Sequence, residues 1–307
     1  MRLSARQFFR LLFTTSVWGA NTVLIKALFA HFPALELQAL RISMAALSFV
    51  PVVVMHSRKS KFSSEAKRLA FAAAFCMVFL HQVFLATGMT TAKAGLTSLI
   101  LSLNPLATSV IAHFVLGETL TKRRLAGVLI GFVGVSAAVV QEWHLLEMGI
   151  GVAELLIFVA MLTYVMGGIF VRKAREHIAP LPLTALIHVY GAAMLLVPAT
   201  ASALKNGLPE KMPGLWFWVG AISSAVVATS YCNLLWNRSI QEIGASTTSI
   251  FANVMPFVSL ITASIFLHER ITVLQIAGLG GVILGIYLAT TSKPSSRPTH
   301  AEPASVK

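Results

Sequence analysis

Residues 94–134 read AGLTSLILSLNPLATSVIAHFVLGETLTKRRLAGVLIGFVG, and residues 245–285 read ASTTSIFANVMPFVSLITASIFLHERITVLQIAGLGGVILG. A shift of 151 positions lays the first on the second. Ala94, Thr97, Ser98, Pro105, Ala112, Leu116, Glu118, Thr121, Ala126, Gly127 and Gly134 then meet identical residues. Their partners include Pro256, Glu269, Thr272, Gly278 and Gly285. Each copy is an apolar run interrupted near its middle by proline, then Glu-x-x-Thr, then a glycine-rich apolar run. Agreement of Ala or Leu is cheap in an apolar chain, so proline, glutamate and glycine carry the weight. The pattern is an internal duplication. The first half of each copy matches more weakly. At an offset of 146, Trp18 meets Tyr164, Lys26 meets Arg172, and Ala39-Leu40 meets Ala185-Leu186.

Composition says what solvent this chain folds in. Of its 307 residues 56% are hydrophobic and 11% charged, with mean hydropathy +0.79. Soluble domains carry about 25% charged residues. A soluble fold of this length cannot hide so much apolar surface, so lipid is the expected solvent. There is no Asp, and all eleven acids are Glu. That removes most carboxylate-pair and metal-ligand chemistry, and neither a metal nor a cofactor is expected. The net charge of +13 would suggest nucleic acid in a soluble protein. Here the basic residues lie between apolar runs, so they read as orientation signals and no nucleic-acid partner is expected. Cys76 and Cys232 lie inside apolar runs and read as small packed hydrophobes rather than a disulfide. The basic start, Met1 to Arg10, leads into an apolar run long enough to be a first, uncleaved span.

A bilayer-spanning helix takes about 20 apolar residues. Ten windows qualify: Phe8–Phe29, Ala34–Met55, Ala66–Gly88, Ala92–Leu116, Arg124–Val140, Gly149–Val171, Pro180–Ser202, Pro213–Trp236, Ile243–Leu267 and Thr272–Thr291. Thr121 and Thr272 are placed to cap the helices that come after them. The expected domains are a cytoplasmic N-terminus (1–7), a first repeat of five spans (8–140), a second (149–291) and a disordered cytoplasmic tail (292–307). With the N-terminus inside, 18 Lys and Arg fall in cytoplasmic segments and 4 (Lys93, Lys205, Lys211, Arg270) outside. Cytoplasmic loops retain positive charge, so both termini are expected in the cytoplasm of a cell-membrane protein. Five spans per repeat is an odd number, which inverts the second copy. Glu118 then falls at the inner face and Glu269 at the outer. Inverted repeats are an architecture that secondary transporters use for alternating access.

An ordered motif set respects the same division. It comprises Trp18-Gly19 with Lys26, Ala94-x-x-x-Ser98 ahead of Pro105, and Glu118 with Leu120-Thr121 and Gly127. The second copy has Tyr231-x-x-x-x-Trp236, Gly244-Ala245, Pro256, Glu269 and Gly278. The chain to Thr291 thereby resembles the EamA-domain family of the drug/metabolite transporter superfamily. The resemblance implies an all-α protein of ten transmembrane helices, two inverted five-helix repeats around a central cavity, exporting small metabolites or amino acids. One departure is His268-Glu269, where the family commonly has Gly-Glu; the first copy keeps Gly117-Glu118.

Several polar residues inside the spans are candidates for the cavity lining: Trp18, Asn21, Arg41, His81, Gln82, Asn104, Tyr164, His188, Tyr231, Asn233, Trp236 and Asn253. His81 and His188 read equally as substrate or proton groups and as structural interhelical hydrogen bonds. Trp18 and Trp236 read as cavity or as interface residues. Pro105 and Pro256 are expected mid-membrane, either as hinges or as static kinks. Glu118 and Glu269 are either gate residues or interfacial caps paired with Lys122, Arg123 or Arg270. Lys26, Arg41 and Glu154 fall in the outer third of their spans, where a charge facing lipid is costly. They are expected to form one electrostatic cluster at an outer vestibule, unless each snorkels separately. The glycines of 127–134 and 278–285 read as close helix packing.

The motifs Gly-x-x-x-x-Gly-Lys-Ser/Thr, His-Glu-x-x-His and Cys-x-x-Cys are missing, so neither an ATP-driven pump nor a common enzyme chemistry is indicated. The expected function is secondary transport of small organic solutes, with proton coupling and a homodimer both compatible. A lipid-linked flippase and a polytopic membrane enzyme acting on lipid are the alternatives. The enzyme would need His, Glu or Ser clustered at one face.

Overall fold

The computed structural model describes residues 3–59, 62–89, 97, 100–139, 151–207, 213–267 and 272–291. Among these the fold is all-helical. In chain order the helices are α1 (Ala5–Phe29), α2 (Ala34–Lys59), α3 (Ser64–Met89), α4 (Asn104–Leu116), α5 (Lys122–Val139), α6 (Val152–Lys173), α7 (Pro180–Asn206), α8 (Leu215–Ile243), α9 (Ala245–Phe266) and α10 (Val273–Thr290). Eight of them are long and apolar enough to cross a membrane, which makes this an integral membrane protein. The other two are α4 and α5. The described part of α4 is short, and α5 opens on Lys122-Arg123-Arg124.

Local chemistry sets the helix ends. Ser4 with Gln7 and Thr272 with Gln275 form capping boxes at α1 and α10. The Thr121 hydroxyl accepts from the Arg124 amide, 3.1 Å, at the start of α5. Both expected threonine caps are therefore present. α8 runs seven residues beyond its expected end at Trp236 because Asn237–Ile243 is amphipathic rather than apolar. It stops at Gly244, whose φ of +96° is a backbone state that side chains disfavour.

Neither Pro105 nor Pro256 interrupts a run of regular α-helix. Pro105 lies in the first turn of α4, directly after a turn at Ser102-Leu103. Pro256 lies in the first turn of the segment Met255–Leu267, after a 3-10 turn over Ile250–Val254. A proline costs nothing in a first turn, where its missing N–H has no intrahelical acceptor anyway. Both copies therefore break at matching positions and restart on proline.

α5 packs on α10, α2 on α7, α3 and α4 on α6, and α8 and α9 on α1. Replace every helix by its counterpart five along and this pattern maps onto itself. At the α5–α10 contact two backbones approach closely. A Cβ on Gly127 would lie 2.6 Å from the Gly285 carbonyl oxygen, and one on Gly134 2.6 Å from that of Gly278. As one helix ascends the other descends, so the pair is antiparallel. Gly127 corresponds to Gly278 and Gly134 to Gly285, so the contact is self-complementary, each residue touching its partner's counterpart. Lipid supplies no hydrophobic drive between helices, and small residues let them gain close van der Waals contact instead. Gly134→Leu should therefore separate α5 from α10 and lower the melting temperature of the detergent-solubilised protein by several degrees. Gly280→Leu, where an added Cβ meets nothing within 4 Å, should leave it near wild type. Equal shifts in the two variants would count against this packing.

Candidate functional site

The polar residues converge on one turn of α8. Residues Ser224–Tyr231 form a π-helical segment, one residue wider per turn than an α-helix. Its hydroxyls bond five residues back: Thr229 Oγ1 donates to the Ser224 carbonyl, 3.0 Å, and Ser230 Oγ to that of Ala225, 3.1 Å. The widened turn also presents the Ala228 carbonyl sideways, where Trp18 Nε1 of α1 donates to it at 2.8 Å. The Trp18 ring lies 5.0 Å from that of Trp236, further along α8.

Arg41 of α2 reaches into this turn and is only 5% exposed. Its Nε donates to Ser224 Oγ (2.8 Å), Nη1 to Gln38 Oε1 (2.6 Å) and Nη2 to Thr229 Oγ1 (3.0 Å). Ser224 in turn donates to Asn21 Oδ1 of α1, 2.6 Å. On the other side His188 of α7 is buried, with Nδ1 2.8 Å from the Thr184 carbonyl and Nε2 3.3 Å from Asn233 Nδ2. Phe49 covers its ring at 5.2 Å. Asn237 Nδ2 donates to Thr184 Oγ1, 3.1 Å, and Ser48 and Ser230 are hydrogen-bonded at 2.9 Å. The site thus ties α1, α2 and α7 each to α8 through hydroxyl, amide, imidazole and guanidinium groups. Hydrogen bonds of this kind hold buried polar groups that would otherwise be costly, although Asn237 Oδ1 is buried without a partner.

The counterpart in the first copy has the same backbone and different chemistry. A second π segment spans Phe75–Leu80 of α3, but its residues are apolar. Just beyond it, His81 Nδ1 lies 2.9 Å from the Ala160 carbonyl and its ring 5.1 Å from Tyr164. Gln82 Oε1 is buried with no hydrogen-bond partner. At the offset of 146 the position matching Arg41 is Ile187, so the cation belongs to one half only.

Two further candidates lie apart from this cluster. Asn253 is 3% exposed, its Oδ1 lacks a partner and its amide nitrogen packs where Gly131 has no side chain. Asn104 Oδ1 accepts from Thr108 one turn along its own helix, 3.2 Å. Tyr231 faces outward, half exposed, against Phe13.

The expected Lys26–Arg41–Glu154 cluster does not form. Glu154 folds back on its own helix start, accepting from the Gly151 amide at 3.0 Å, where the helix dipole favours a carboxylate. Lys26 is exposed, and Arg41 finds neutral acceptors on the π turn. Gln38, Ser224, Thr229, Ser230, Thr184 and Asn237 join the site without having been candidates from the sequence. The only local signal for them is a run of small hydroxyl residues in an otherwise apolar span.

Glu118 does not pair with Lys122 or Arg123. Its Oε1 accepts from the Ala245 amide (2.9 Å) and Oε2 from that of Ser246 (3.2 Å), capping α9 of the other copy. Gly244 admits it: a Cβ there would lie 2.7 Å from the carboxylate. Arg172 Nε of α6 stands 3.9 Å away, and its guanidinium also donates to the Ile240 and Gln241 carbonyls at the end of α8. Arg124 bridges the same seam, donating to the Thr119 carbonyl (2.9 Å) and Thr247 Oγ1 (2.9 Å). A cavity of about 380 Å³ lies beside Glu118, lined by His113 and residues 117–122. It sits at the helix ends, away from Arg41. Glu269, the counterpart of Glu118, lies outside the described residues.

The EamA-like transporter family model matches the chain twice, over residues 8–140 and 151–291. The uncharacterized transporter YyaM of Bacillus subtilis is 33% identical over 196 residues, which is 63% of each chain. The probable amino-acid metabolite efflux pumps of Salmonella typhimurium and Escherichia coli are each 26% identical. They cover 93% and 89% of this chain, and 95% and 90% of their own. A crystal structure of another protein superposes with a TM-score of 0.75 at 14% identity, covering 91% of this chain and 95% of that one. It shows a shared fold.

Proposed function

The chain belongs to the EamA-like transporter family, and on that premise we propose that it exports small organic metabolites, amino acids or related solutes, by alternating access of two inverted repeats. Membership makes it a membrane transporter acting on a small-molecule substrate, and its relatives are named as transporters and efflux pumps rather than enzymes. Ten spans, repeats over 8–140 and 149–291, and cytoplasmic termini in the cell membrane complete the proposal.

The observation that carries it is the self-complementary, antiparallel α5–α10 contact, Gly127 on Gly285 and Gly134 on Gly278. A two-fold relation between oppositely directed copies supports a protein whose two faces can exchange roles. The Glu118 cap supports a closed seam between the copies at one face. Glu269 is proposed to serve the opposite face, and Pro105 and Pro256 to be hinges at the matching breaks. The efflux pumps of Salmonella typhimurium and Escherichia coli support the solute class and the direction.

Purified protein in liposomes loaded with labelled amino acids should release at least one of them faster than protein-free liposomes, with a pH gradient applied to test proton coupling. Release at the rate of protein-free liposomes for every solute, in both orientations and with both gradients, would overturn the transport reading. Orientation has its own check. A cysteine placed at Gly207 should label from outside the cell and one at Ser60 only from inside. The reverse pattern would overturn the topology.

A further inference from the structure

We propose that Arg41 is the receptor for a carboxylate of the transported solute, a reading that rests on the transport function proposed above. Arg41 is a cation with 5% exposure inside a membrane-spanning helix, yet its three protein partners are all neutral. Among the described residues no carboxylate lies within 4.0 Å of its nitrogens. Glu36, the nearest acid in sequence, is five positions earlier. At about 3.6 residues per turn that puts it on a different face of α2. An intramembrane charge without an opposite charge is expensive, and such residues mark substrate pathways.

The donor count points to the ligand. A guanidinium has five N–H groups in a fixed planar fork. Three are engaged here, one on each nitrogen, by Ser224, Gln38 and Thr229. One N–H therefore remains on each of Nη1 and Nη2, and a guanidinium with two terminal N–H groups to give suits the two oxygens of a carboxylate. A single cation balances a single negative charge, so a monocarboxylate group fits better than a phosphate dianion. Ser224, Gln38 and Thr229 fix the fork beforehand, which lowers the ordering cost of binding. On the α1 side Asn21, only half-buried, accepts from Ser224. The symmetry-related site combines Ile187 of the second copy, at the position matching Arg41, with the apolar π segment of α3 in the first. The receptor is therefore built on one side of a symmetric frame, as a specificity element rather than a packing element would be.

The test compares acids with their carboxamides: L-phenylalanine, L-leucine, benzoate and succinate, each against its amide. Binding is read as thermal stabilisation of the full-length protein in detergent, and flux in liposomes with the same compounds. At least one acid should stabilise the wild type with an affinity about tenfold or more above its amide, as expected for a charge-assisted pair. Arg41→Gln should abolish that preference. Arg41→Lys, which keeps the charge and loses the fork, should reduce it about tenfold and serves if the glutamine variant does not fold. A wild type that binds no acid better than its amide would overturn the proposal, as would variants that keep the full preference. Equal flux of acids and amides would remove Arg41 and leave the transport reading standing. Acid-specific stabilisation lost in Arg41→Gln, without flux of any compound, would keep the carboxylate site and remove the transport reading.

Discussion

Replacing Glu118 with alanine should unlatch the start of α9 from the end of α4 and depopulate the conformation in which the two are joined. The Glu118 carboxylate accepts from two backbone amides that open α9 and stands near Arg172. Hydrogen bonds to a charged group contribute about 1.5–3 kcal/mol net, and each 1.4 kcal/mol is about tenfold in an equilibrium. The seam is partly exposed, so a tenfold shift is the expected scale. Loss of Glu118 leaves the Ala245 and Ser246 amides without their acceptor and removes the carboxylate beside Arg172. The readout is the maleimide reactivity of a cysteine placed at Ser249, which is buried on α9, with Cys76 and Cys232 replaced. Its labelling should accelerate about tenfold in Glu118→Ala. Glu118→Gln, which keeps one acceptor oxygen, should fall between. Gly244→Ala should act in the same direction, because its φ of +96° and the close carboxylate both penalise a side chain. Unchanged labelling in Glu118→Ala would show that the cap holds no conformation.

Deleting Val227 from the π turn of α8 should bring transport to background while Val227→Ala stays near wild type. The Val227 side chain faces outward and is apolar, and its carbonyl accepts a backbone bond from Cys232. Its side chain is therefore dispensable, but its place in the count is not. A π turn holds one residue more than an α turn. Removing one lets α8 close as a regular helix, which withdraws the Ala228 carbonyl that the wide turn presents to Trp18 and re-aims the hydroxyls of Thr229 and Ser230. Thr229 and Ser230 would then leave Arg41 and Ser48, which they now meet at 3.0 and 2.9 Å. Flux in liposomes, at matched amounts of protein with wild-type helix content, is the measurement. A deletion variant that transports at the wild-type rate would mean the widened turn is incidental.

Eight of the ten expected spans, the sequence repeat and the threonine caps of α5 and α10 were legible in the chain itself. Hydropathy, capping and repeat identity are local properties, summed over one window or read at one offset. Membership of a transporter family came from the same ordered residues. Pro105 and Pro256 were visible as breaks, but whether each sat inside a helix or opened one depended on the turn before it. What the tertiary structure alone decided is which buried charges meet. Arg41 finds its partners 183 and 188 residues away, and Glu118 caps a helix 127 residues away. The π turn that aims Ser224 and Thr229 at Arg41 is one extra residue in a helix, a change of register with no composition of its own. Depth along a span suggests that Lys26, Arg41 and Glu154 belong together. Depth fixes only one coordinate, and the rotation of each helix about its axis, set by packing against its neighbours, sends the three side chains to different partners.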